Sequence, residues 1–408
     1  MGISMWTNNT TACGLMIPVV KATLIELERL GIFEMFEYNK LSQRNDVTKR
    51  DPVPTDITTF YFLGVAYSST IGGISTIVGS EANRTLKFYC EMIFPMAPHI
   101  DFPHFMLLTL PAVIILETFL YFWLNFYYLG MFRSNGGLVV LTGMSAEEAQ
   151  YFETLLKNEN DKIGKLKFHE VITVIIILLT MTVQLIVNFT FVQHSYALTP
   201  QSIQKIMSPA VIGATILFLM PRDLKCFKFN VNPGSLLRYK TCLDWDVLKT
   251  HVQWSALFVI VSSELTFEAL KDTGMMHELE KLVLVFAGAP ASVVLLVGIV
   301  ICKALSETAS NTIVTSCLLP HIARVSVTLK INPLYLMIGA TIPCSLPFHL
   351  ISGTPANALV LTYLNIPQQK MICAGSGLSI FAIFVVWFTI AFWSRVIWDG
   401  IIFYPDWA

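Results

Sequence analysis

Charged residues are scarce in this sequence. Only 13% of its 408 residues are Asp, Glu, Lys or Arg, while 54% are hydrophobic. Soluble globular domains carry about a quarter charged residues, so this composition excludes an ordinary soluble protein and indicates an integral membrane protein. The formal net charge of −1 argues against a nucleic-acid partner, because such partners require a basic surface.

The sequence also lacks the short motifs of metal centres, enzymes and exported precursors. Its eight cysteines include no C-x-x-C pair and lie mostly in apolar runs, where a thiol behaves as a small hydrophobe. There is no H-E-x-x-H or G-x-S-x-G, and the Gly72-Gly73 pair lacks the spacing of a phosphate-binding loop. The first 20 residues have neither the basic start nor the long apolar core of a cleavable signal peptide. We therefore expect no enzyme activity and no cofactor.

Two motifs each occur twice, in the same order. Ser4–Pro18 and Ser306–Pro320 share one template: Ser, four residues, Asn-Thr, seven residues, Pro. Each copy is followed by a second motif, Gly79–Asn83 in the first half and Gly353–Asn357 in the second, and a tyrosine stands 18 residues before both glycines. Three matches in one order indicate an internal duplication. Paired polar interruptions of apolar segments are typical of secondary transporters with a site at mid-membrane.

The residue types at these interruptions predict an ion-binding site. Backbone groups left unpaired within a membrane survive only where they line a cavity or coordinate a ligand. The helix that begins after each Asn-Thr presents free N–H donors and partial positive charge, which suit a carboxylate. Freed carbonyl oxygens suit a hard cation such as sodium. For one copy, a simple cap on a kinked helix explains the motif as well, but two matching copies favour a cation-coupled anion carrier.

Apolar segments predict an all-α, polytopic membrane protein with re-entrant hairpins and broken helices. The predicted spans cover residues 14–34, 104–132, 170–193, about 203–220, 252–270 and 371–398. Broken helices are expected at 58–94, with its break at Val78–Asn83, and at 333–364, with a first part reaching residue 351. The second hairpin is expected to have a polar tip at Ser306–Thr312 and a return arm ending near Arg324. A capping box at Ser145 and Glu148 predicts a surface helix through Leu156.

The distribution of basic residues predicts the orientation. The loops at 35–57, 133–169 and 222–250 are rich in Lys and Arg and are expected to be cytoplasmic, while those at 95–103 and 194–202 have neither and are expected outside. The first polar tip then enters the membrane from inside and the second from outside, which is an inverted repeat. The aromatic C-terminal tail, 399–408, is expected to be extracellular.

The motifs resemble those of the divalent anion/sodium symporter family. The resemblance rests on S-N-T-x7-P followed by G-T-P-x-N, and extends to INPLYLMIGATIPCS, LDWDV and the terminal FYPDWA. It is closest to the animal sodium–citrate and sodium–dicarboxylate cotransporters. The resemblance implies a homodimer with scaffold and mobile transport domains, and an elevator-type movement. That family begins with additional spans, so we expect this sequence to be N-terminally truncated, with its first spans missing.

The resemblance also implies a division of the chain. Residues 1–132 correspond to the first repeat of the transport domain, 133–169 to a cytoplasmic linker with a surface helix, and 170–270 to scaffold spans. Residues 281–398 correspond to the second repeat of the transport domain.

Site residues follow from the resemblance by position. Residues expected to hold substrate carboxylates, directly or from close by, are Asn9, Thr10, Ser80, Asn311, Thr312 and Thr354. One sodium ion is expected among Ser4, Asn9 and Gly79, and a second among Ser306, Asn311 and Gly353. Further candidates are Asn83, Asn357, Glu81 and Ser310.

Several residues depart from the family pattern. Asn8 replaces a small hydroxyl residue, and Glu81 stands where the family usually has glycine or proline. A carboxylate at position 81 attracts sodium but repels a dianion, unless Arg84 neutralises it at i,i+3. Glu264 and Glu268 place carboxylates in a predicted span. They are interpreted either as functional groups of that span or as the result of relaxed constraint on the sequence. His349, before the second break, is interpreted as a hydrogen-bonded interior histidine or as a pH sensor.

Two functional hypotheses remain. The first is sodium-driven uptake of a di- or tricarboxylate, such as succinate or citrate, at the plasma membrane. The second is a degenerate paralogue that retains the fold but acts as a binding or dimer-partner subunit. The expected partners are a small carboxylate, the lipid bilayer and a second copy of the chain. The sequence does not separate dicarboxylate, citrate and sulfate as substrates.

Overall fold

The structure, a computed structural model, describes residues 1–29, 31, 33–37, 53–130, 154, 157, 167–193, 209–222, 241–252, 254–398 and 400–408. Elements are numbered along these residues. The helices are α1 (Gly2–Trp6), α2 (Asn9–Arg29), α3 (Asp56–Gly73), α4 (Glu81–Ile93), α5 (Phe102–Tyr128), α6 (Phe168–Gln193), α7 (Pro209–Leu219), α8 (Trp245–His251), α9 (Trp254–Asp272), α10 (Met275–Leu284), α11 (Ala291–Thr308), α12 (Asn311–Thr328), α13 (Pro333–Cys344), α14 (Pro355–Leu364), α15 (Gln368–Phe388) and α16 (Ser394–Ile397). A π-helical turn, Thr389–Trp393, joins α15 to α16. Two short strands, β1 (Phe36–Glu37) and β2 (Val53–Pro54), pair antiparallel.

The chain divides into two compact units. The first comprises Met1–Gly136 and Gln253–Ala408, and the second comprises Gly137–Val252. Within the second unit, α6 packs on α7. The predicted division into transport and scaffold domains stays a prediction.

Membrane spans of sufficient length and apolarity occur among the described residues. Four helical segments satisfy both requirements: Asn9–Arg29, Phe102–Tyr128, Ala291–Thr308 and Gln368–Ile397. About 20 apolar residues cross the hydrocarbon core of a bilayer. The ten-residue α10, by contrast, is too short to cross it.

Each Asn-Thr motif begins a helix after a two-residue interruption. Thr7 and Asn8 separate α1 from α2, and Ala309 and Ser310 separate α11 from α12. We call these two interruptions the first and second tips. The second tip is shorter than the predicted Ser306–Thr312, because α11 remains helical to Thr308.

Each Gly-x-x-x-Asn motif spans the start of a helix that follows a break. Residues 74–80 separate α3 from α4, and residues 345–354 separate α13 from α14. Thr354 caps α14 by accepting a hydrogen bond from the backbone N–H of Asn357, and Pro355 follows at the first helical position, where its missing N–H costs nothing. We call these two segments the first and second breaks.

Helices that follow the breaks pack against helices from the opposite half of the chain. In the first unit, α4 from the first half packs against α12 from the second, while α14 from the second half packs against α2 from the first. Likewise α3 packs on α5, and α13 packs on α11 and α12. These contacts bring both tips and both breaks into one region of the first unit.

Several predicted boundaries are wrong. The first break begins at Ile74, before the predicted Val78, and α4 is already helical at Glu81. The first part of the second broken helix ends at Cys344 instead of residue 351, because Pro347 lacks an N–H and the N–H groups of Phe348 and His349 are bound elsewhere. The return arm continues to Thr328, beyond Arg324.

Two predicted loops contain regular structure. The loop at 222–250 ends in helix α8, which Asp244 caps by accepting a hydrogen bond from the N–H of Trp245 at 2.7 Å. The loop at 35–57 contains β1 and β2 and the first two residues of α3. The predicted surface helix from Ser145 to Leu156 lies outside the described residues except for position 154.

Candidate functional site

The first tip holds its asparagines by short-range hydrogen bonds. The backbone N–H of Thr10 donates to Oδ1 of Asn9 at 2.8 Å and lies 3.2 Å from Oδ1 of Asn8. Asn9 is buried, with 5% of its surface exposed, and so is Ser4, whose hydroxyl donates to the carbonyl of Met1 at 2.7 Å. Asn8 Nδ2 donates to Oε1 of Glu81 at 3.1 Å.

The second tip repeats the contact between the Thr10 hydroxyl and Oδ1 of Asn9, which are 3.3 Å apart at the first tip. Ser310 and Asn311 are buried, and the hydroxyl of Thr312 lies 3.3 Å from Oδ1 of Asn311. The hydroxyl of Ser306, on the preceding helix, donates to the carbonyl of Lys303 at 2.9 Å. These residues correspond one by one to those of the first tip.

The glycine of each break lies against the serine that precedes the tip. A methyl group built on Gly79 would lie 2.9 Å from the carbonyl oxygen of Ser4 and 2.7 Å from that of Gly73. On Gly353 it would lie 3.1 Å from the carbonyl oxygen of Ser306 and 2.5 Å from Cβ of Pro347. A Cβ on Gly79 is therefore excluded by the carbonyls of Gly73 and Ser4, and a Cβ on Gly353 is excluded by Pro347 and would be tight against Ser306, so glycine is required at both positions.

The two breaks are in direct contact. The hydroxyl oxygens of Ser80 and Ser345 are 3.2 Å apart, and both residues are buried. Ser80 makes no side-chain cap bond to its own helix, unlike Thr354 at the equivalent position. The hydroxyl of Ser80 is therefore committed to the opposite break.

Each break is held by the asparagine of its own motif. Asn83 Nδ2 donates to the carbonyls of Thr76 at 2.8 Å and Gly73 at 3.4 Å. Asn357 Nδ2 donates to the carbonyls of Pro347 at 3.1 Å and Leu350 at 3.3 Å. The Oδ1 atoms of both asparagines are buried and have no hydrogen-bond donor within the described residues. Buried unpaired acceptors of this kind suit a cation or a water molecule.

Glu81 connects the two tips. Its Oε1 accepts the hydrogen bond from Asn8 of the first tip, and its Oε2 lies 3.3 Å from the hydroxyl of Thr312 at the second. Arg84 Nη2 lies 3.7 Å from Oε1 and gives the carboxylate a counter-charge. The two helix starts that the duplication predicts thus approach a single carboxylate.

Sequence reasoning missed a buried ionic cluster beside the second break. Glu307 pairs with Lys303, one helical turn earlier on α11, and both side chains are nearly inaccessible. Glu307 also accepts hydrogen bonds from the backbone N–H groups of Phe348 at 3.0 Å and His349 at 2.8 Å. Two opposite charges four residues apart within an apolar helix were the available signal.

His349 belongs to this cluster. Its Nδ1 lies 2.9 Å from Oε1 of Glu307 and 3.3 Å from the hydroxyl of Ser379. These partners favour the interpretation of an ordered interior histidine. Glu268, on α9, instead forms an exposed pair with Lys271 at 3.6 Å.

A cavity of about 770 Å³ lies among the helices of the first repeat. Helices α1, α2, α3 and α5 line it, and its polar wall includes Ser68 and Glu117. The hydroxyl of Ser68 donates to Oε1 of Glu117 at 2.5 Å, while Oε2 is buried without a partner in the described part of the chain. Asn9, Thr10 and Glu81 do not line this cavity.

Comparison with known proteins determines the family. Residues 1–342 match the citrate transporter family, CitMHS. The chain belongs to this family. The "Protein I'm not dead yet" of Drosophila melanogaster is 27% identical over 422 residues, covering 100% of this chain and 70% of that protein. The "Na(+)/citrate cotransporter" of Mus musculus is 25% identical over 440 residues, covering 100% of this chain and 75% of the relative.

A bacterial relative extends the similarity. The "Sodium-dependent dicarboxylate transporter SdcS" of Staphylococcus saprophyticus is 24% identical over 390 residues, covering 94% of this chain and 65% of that protein. Membership of the citrate transporter family confirms the predicted relationship to sodium–carboxylate cotransporters. Together with the four apolar helices, it identifies the chain as a helical integral membrane protein of a carboxylate transporter family.

Proposed function

We propose that this chain carries out sodium-coupled symport of a di- or tricarboxylate. The observation that carries the proposal is the carboxylate of Glu81, which takes hydrogen bonds offered by Asn8 and Thr312 from the two tips. The side chains of Asn8 and Thr312, at the starts of α2 and α12, therefore provide donors at a spacing that fits one carboxylate. Helix N-termini add partial positive charge to such a site.

Substrate carboxylates bind between the two tips in this proposal. The groups that hold them, directly or from close by, belong to Asn9, Thr10, Ser80, Asn311, Thr312 and Thr354. The burial of both asparagines supports this role, since amides removed from water bind an anion with little competition from solvent. The contact between the hydroxyls of Ser80 and Ser345 supports a single site shared by both repeats.

Two sodium ions complete the proposed site. Ser4, Asn9 and Gly79 coordinate the first ion, and the equivalent residues of the second repeat coordinate the second. The close approach of the Ser4 carbonyl to Gly79 supports the first set. Sodium prefers oxygen ligands, as other hard cations do, and the unpaired Oδ1 atoms of Asn83 and Asn357 supply further acceptors nearby.

The second sodium set consists of Ser306, Asn311 and Gly353. The approach of the Ser306 carbonyl to Gly353 matches that of Ser4 to Gly79. Ser310, at the second tip, is a further candidate ligand. This equivalence supports two sites related by the duplication.

The proposed mechanism uses an inverted repeat and an elevator movement. Helix α4 of the first repeat packs on α12 of the second, and α14 of the second packs on α2 of the first. These reciprocal contacts support a two-fold relationship between the repeats. Residues 1–132 and 281–398 form the transport domain, and 170–270 supply the scaffold in a homodimer of the plasma membrane. The basic loops face the cytoplasm and the C-terminal tail faces outward. Inward sodium in excess of substrate charge is driven by the membrane potential, with about 2.3 kcal/mol per charge per 100 mV.

Uptake into proteoliposomes tests the proposal. Vesicles containing the full chain receive labelled succinate or citrate under an inward gradient of sodium or of choline, with the membrane potential clamped by potassium and valinomycin. We expect accumulation with sodium only, and its loss in Asn9→Ala and Asn311→Ala. Asn125→Ala, a buried asparagine of α5 outside the site, serves as the matched control. Equal uptake with sodium and choline would contradict sodium coupling.

A second function is favoured by the same carboxylate. Glu81 already occupies the donors at the tips, as expected of a paralogue that has lost transport and acts as a binding or dimer-partner subunit. Sodium-dependent uptake by the unmodified chain excludes this alternative. Recovery of uptake only after Glu81→Gly together with Glu264→Gly supports it.

A further inference from the structure

Two serine hydroxyls meet where the two breaks touch. Ser80 ends the first break and Ser345 begins the second, and their hydroxyl oxygens are 3.2 Å apart. Only 3% of the surface of Ser80 and 1% of that of Ser345 is exposed. By distance alone, either oxygen can be the donor. The hydrogen bond uses one of the two hydroxyl protons, and its direction decides which residue keeps a free proton.

The hydroxyl of Ser345 differs from its neighbour on the same helix. Thr341, one turn earlier on α13, donates its hydroxyl proton to the carbonyl of Met337 at 2.9 Å, which is a common arrangement for a hydroxyl in a helix. Ser345 ends α13 with its backbone N–H bound to carbonyls of that helix, but its hydroxyl bonds to no carbonyl within the described residues. Ser80 is therefore the acceptor that the described structure offers to the Ser345 proton.

Thr354 occupies the place in the second repeat that Ser80 occupies in the first. Both are N-cap residues of the helix that follows a break, α14 for Thr354 and α4 for Ser80. The hydroxyl oxygen of Thr354 accepts the backbone N–H of Asn357 at 3.2 Å, so its own proton remains for another acceptor. Ser80 accepts no such bond from α4. A bond donated by Ser345 brings Ser80 to the same state, with its oxygen accepting and its proton free.

A buried hydroxyl proton without an acceptor is unfavourable, and buried polar groups in native proteins are ordinarily hydrogen-bonded. The free proton of Ser80 lies close to the proposed substrate site, because the next residue, Glu81, contacts both tips with its carboxylate. A substrate carboxylate offers only acceptor atoms. It therefore suits a hydroxyl whose oxygen already accepts one bond and whose proton has no partner.

Resting on the proposed function, we propose that Ser345 is a positioning residue for the substrate. Its hydroxyl donates to Ser80 across the contact between the breaks, and this bond directs the Ser80 proton to a substrate carboxylate. Ser345 itself does not touch the substrate. The role fits a di- or tricarboxylate, because the free protons of Ser80 and Thr354 come from different repeats and serve different oxygens of the substrate.

Succinate binding to variants of both serines tests this inference. Calorimetric titrations use the purified full chain in lipid nanodiscs with sodium chloride. We expect Ser345→Ala to weaken succinate binding roughly tenfold and Ser80→Ala at least as much, because hydrogen bonds to charged groups are among the stronger ones. The double variant should bind no more weakly than Ser80→Ala, since Ser345 acts only through Ser80. Thermal stabilisation by sodium chloride over choline chloride, measured without succinate, should be unchanged in Ser345→Ala, because neither proposed sodium set includes this residue.

The matched control is Ser326→Ala. This serine is buried in α12, and its hydroxyl donates to the carbonyl of Ala323 in the same helix at 2.6 Å, so the variant should keep the wild-type affinity for succinate. If Ser345→Ala does not fold, Ser345→Cys takes its place, because a thiol of similar size is only a weak donor.

The possible failures are distinguishable. The inference is overturned, with the proposed function left intact, if Ser345→Ala binds succinate as tightly as wild type or loses no more affinity than Ser326→Ala. Losses that add in the double variant, or a loss of sodium stabilisation in Ser345→Ala, overturn it as well, because they assign Ser345 a role that does not pass through Ser80. Absence of succinate binding to wild type overturns the proposed function itself.

Discussion

Asn83 and Asn357 make the same pair of hydrogen bonds in two halves of one chain. Each amide nitrogen donates to a carbonyl seven residues earlier, within the preceding break, and to another ten residues earlier, which is the last residue of α3 for Asn83 and Pro347 of the break for Asn357. Each amide oxygen remains buried and unpaired in the described structure. One asparagine thus closes each interruption of the helical backbone and leaves one acceptor for a ligand.

Replacement of either asparagine by alanine should destabilise the protein. Asn83→Ala and Asn357→Ala each remove the donor of two carbonyls in or directly before a break, which is expected to cost about 1–3 kcal/mol. Asn125→Ala is the control, since its amide donates to Tyr121, a helical carbonyl of its own α5. Unfolding midpoints in detergent measure the difference. Equal losses in all three variants would show that the breaks need no special support.

Replacing the glycine of either break by alanine should destabilise the site more than replacing a glycine inside a helix by alanine. The added methyl group clashes with the carbonyls of Ser4 and Gly73 in Gly79→Ala and with Pro347 in Gly353→Ala. Overpacking of this kind costs about 1–3 kcal/mol. We also expect weaker sodium-dependent stabilisation of both variants, because ligand binding raises stability by mass action.

The control for these variants is Gly298→Ala. This glycine lies inside α11, and an added methyl group would meet no atom within 4 Å. Alanine there should be neutral or stabilising by up to about 1 kcal/mol. Undiminished stabilisation by sodium in Gly79→Ala and Gly353→Ala would argue against the proposed cation sites.

Helix starts in this protein could be predicted from sequence, because their signals act within a single turn. Asn9 and Asn311 begin α2 and α12 as the repeated Asn-Thr indicates, and the Gly-x-x-x-Asn motifs mark the starts of α4 and α14. Asp244 is a similar local signal for α8, but it was not used to predict a helix there.

Helix ends before the breaks could not be predicted in the same way. Helix α13 stops at Cys344 because the following N–H groups of Phe348 and His349 bond to Glu307, which lies on another helix. The contacts of Glu81 likewise depend on two segments that the fold brings together. Such long-range pairing leaves no periodic pattern in the sequence, although the residue types at the tips were identified.

Removal of the Glu307 charge should be among the most damaging single changes. Glu307→Gln leaves the Lys303 ammonium buried without its ion pair, and breaking a buried pair costs about 3–5 kcal/mol. Lys303→Met should cost less, because Glu307 retains two backbone N–H groups and His349. Denaturant unfolding of both variants and of the double variant yields their coupling energy.

The control for the ionic cluster is Glu268→Gln. Its partner Lys271 is 3.6 Å away, and both side chains are about half exposed. Exposed pairs contribute little, so the change should stay within about 0.5 kcal/mol. A loss in Glu307→Gln no larger than in Glu268→Gln would contradict the importance of the buried pair.

The stability contributed by Glu280 should depend on pH. Burial on α10 raises the pKa of Glu280, but the hydrogen bond from His321 at 2.9 Å and the charges of Arg324, His321 and His277 outweigh it, so the pKa lies below its ordinary value. A carboxylate with a lowered pKa stabilises the folded state above the unfolded pKa of about 4.3, and this stabilisation is lost as the pH falls through the folded value.

We therefore expect Glu280→Gln to unfold at a lower temperature than wild type at pH 6, with the gap closing as the pH falls below about 4. Tryptophan fluorescence during heating in detergent provides both midpoints. Glu278→Gln, in the same helix but largely exposed, should show a much smaller gap, because solvent screens its pair with Lys281. At the lowest pH Glu280 is protonated in wild type, so loss of its ion pairs can no longer destabilise the variant. A difference in unfolding temperature that persists unchanged to that pH would therefore assign the effect of Glu280→Gln to packing.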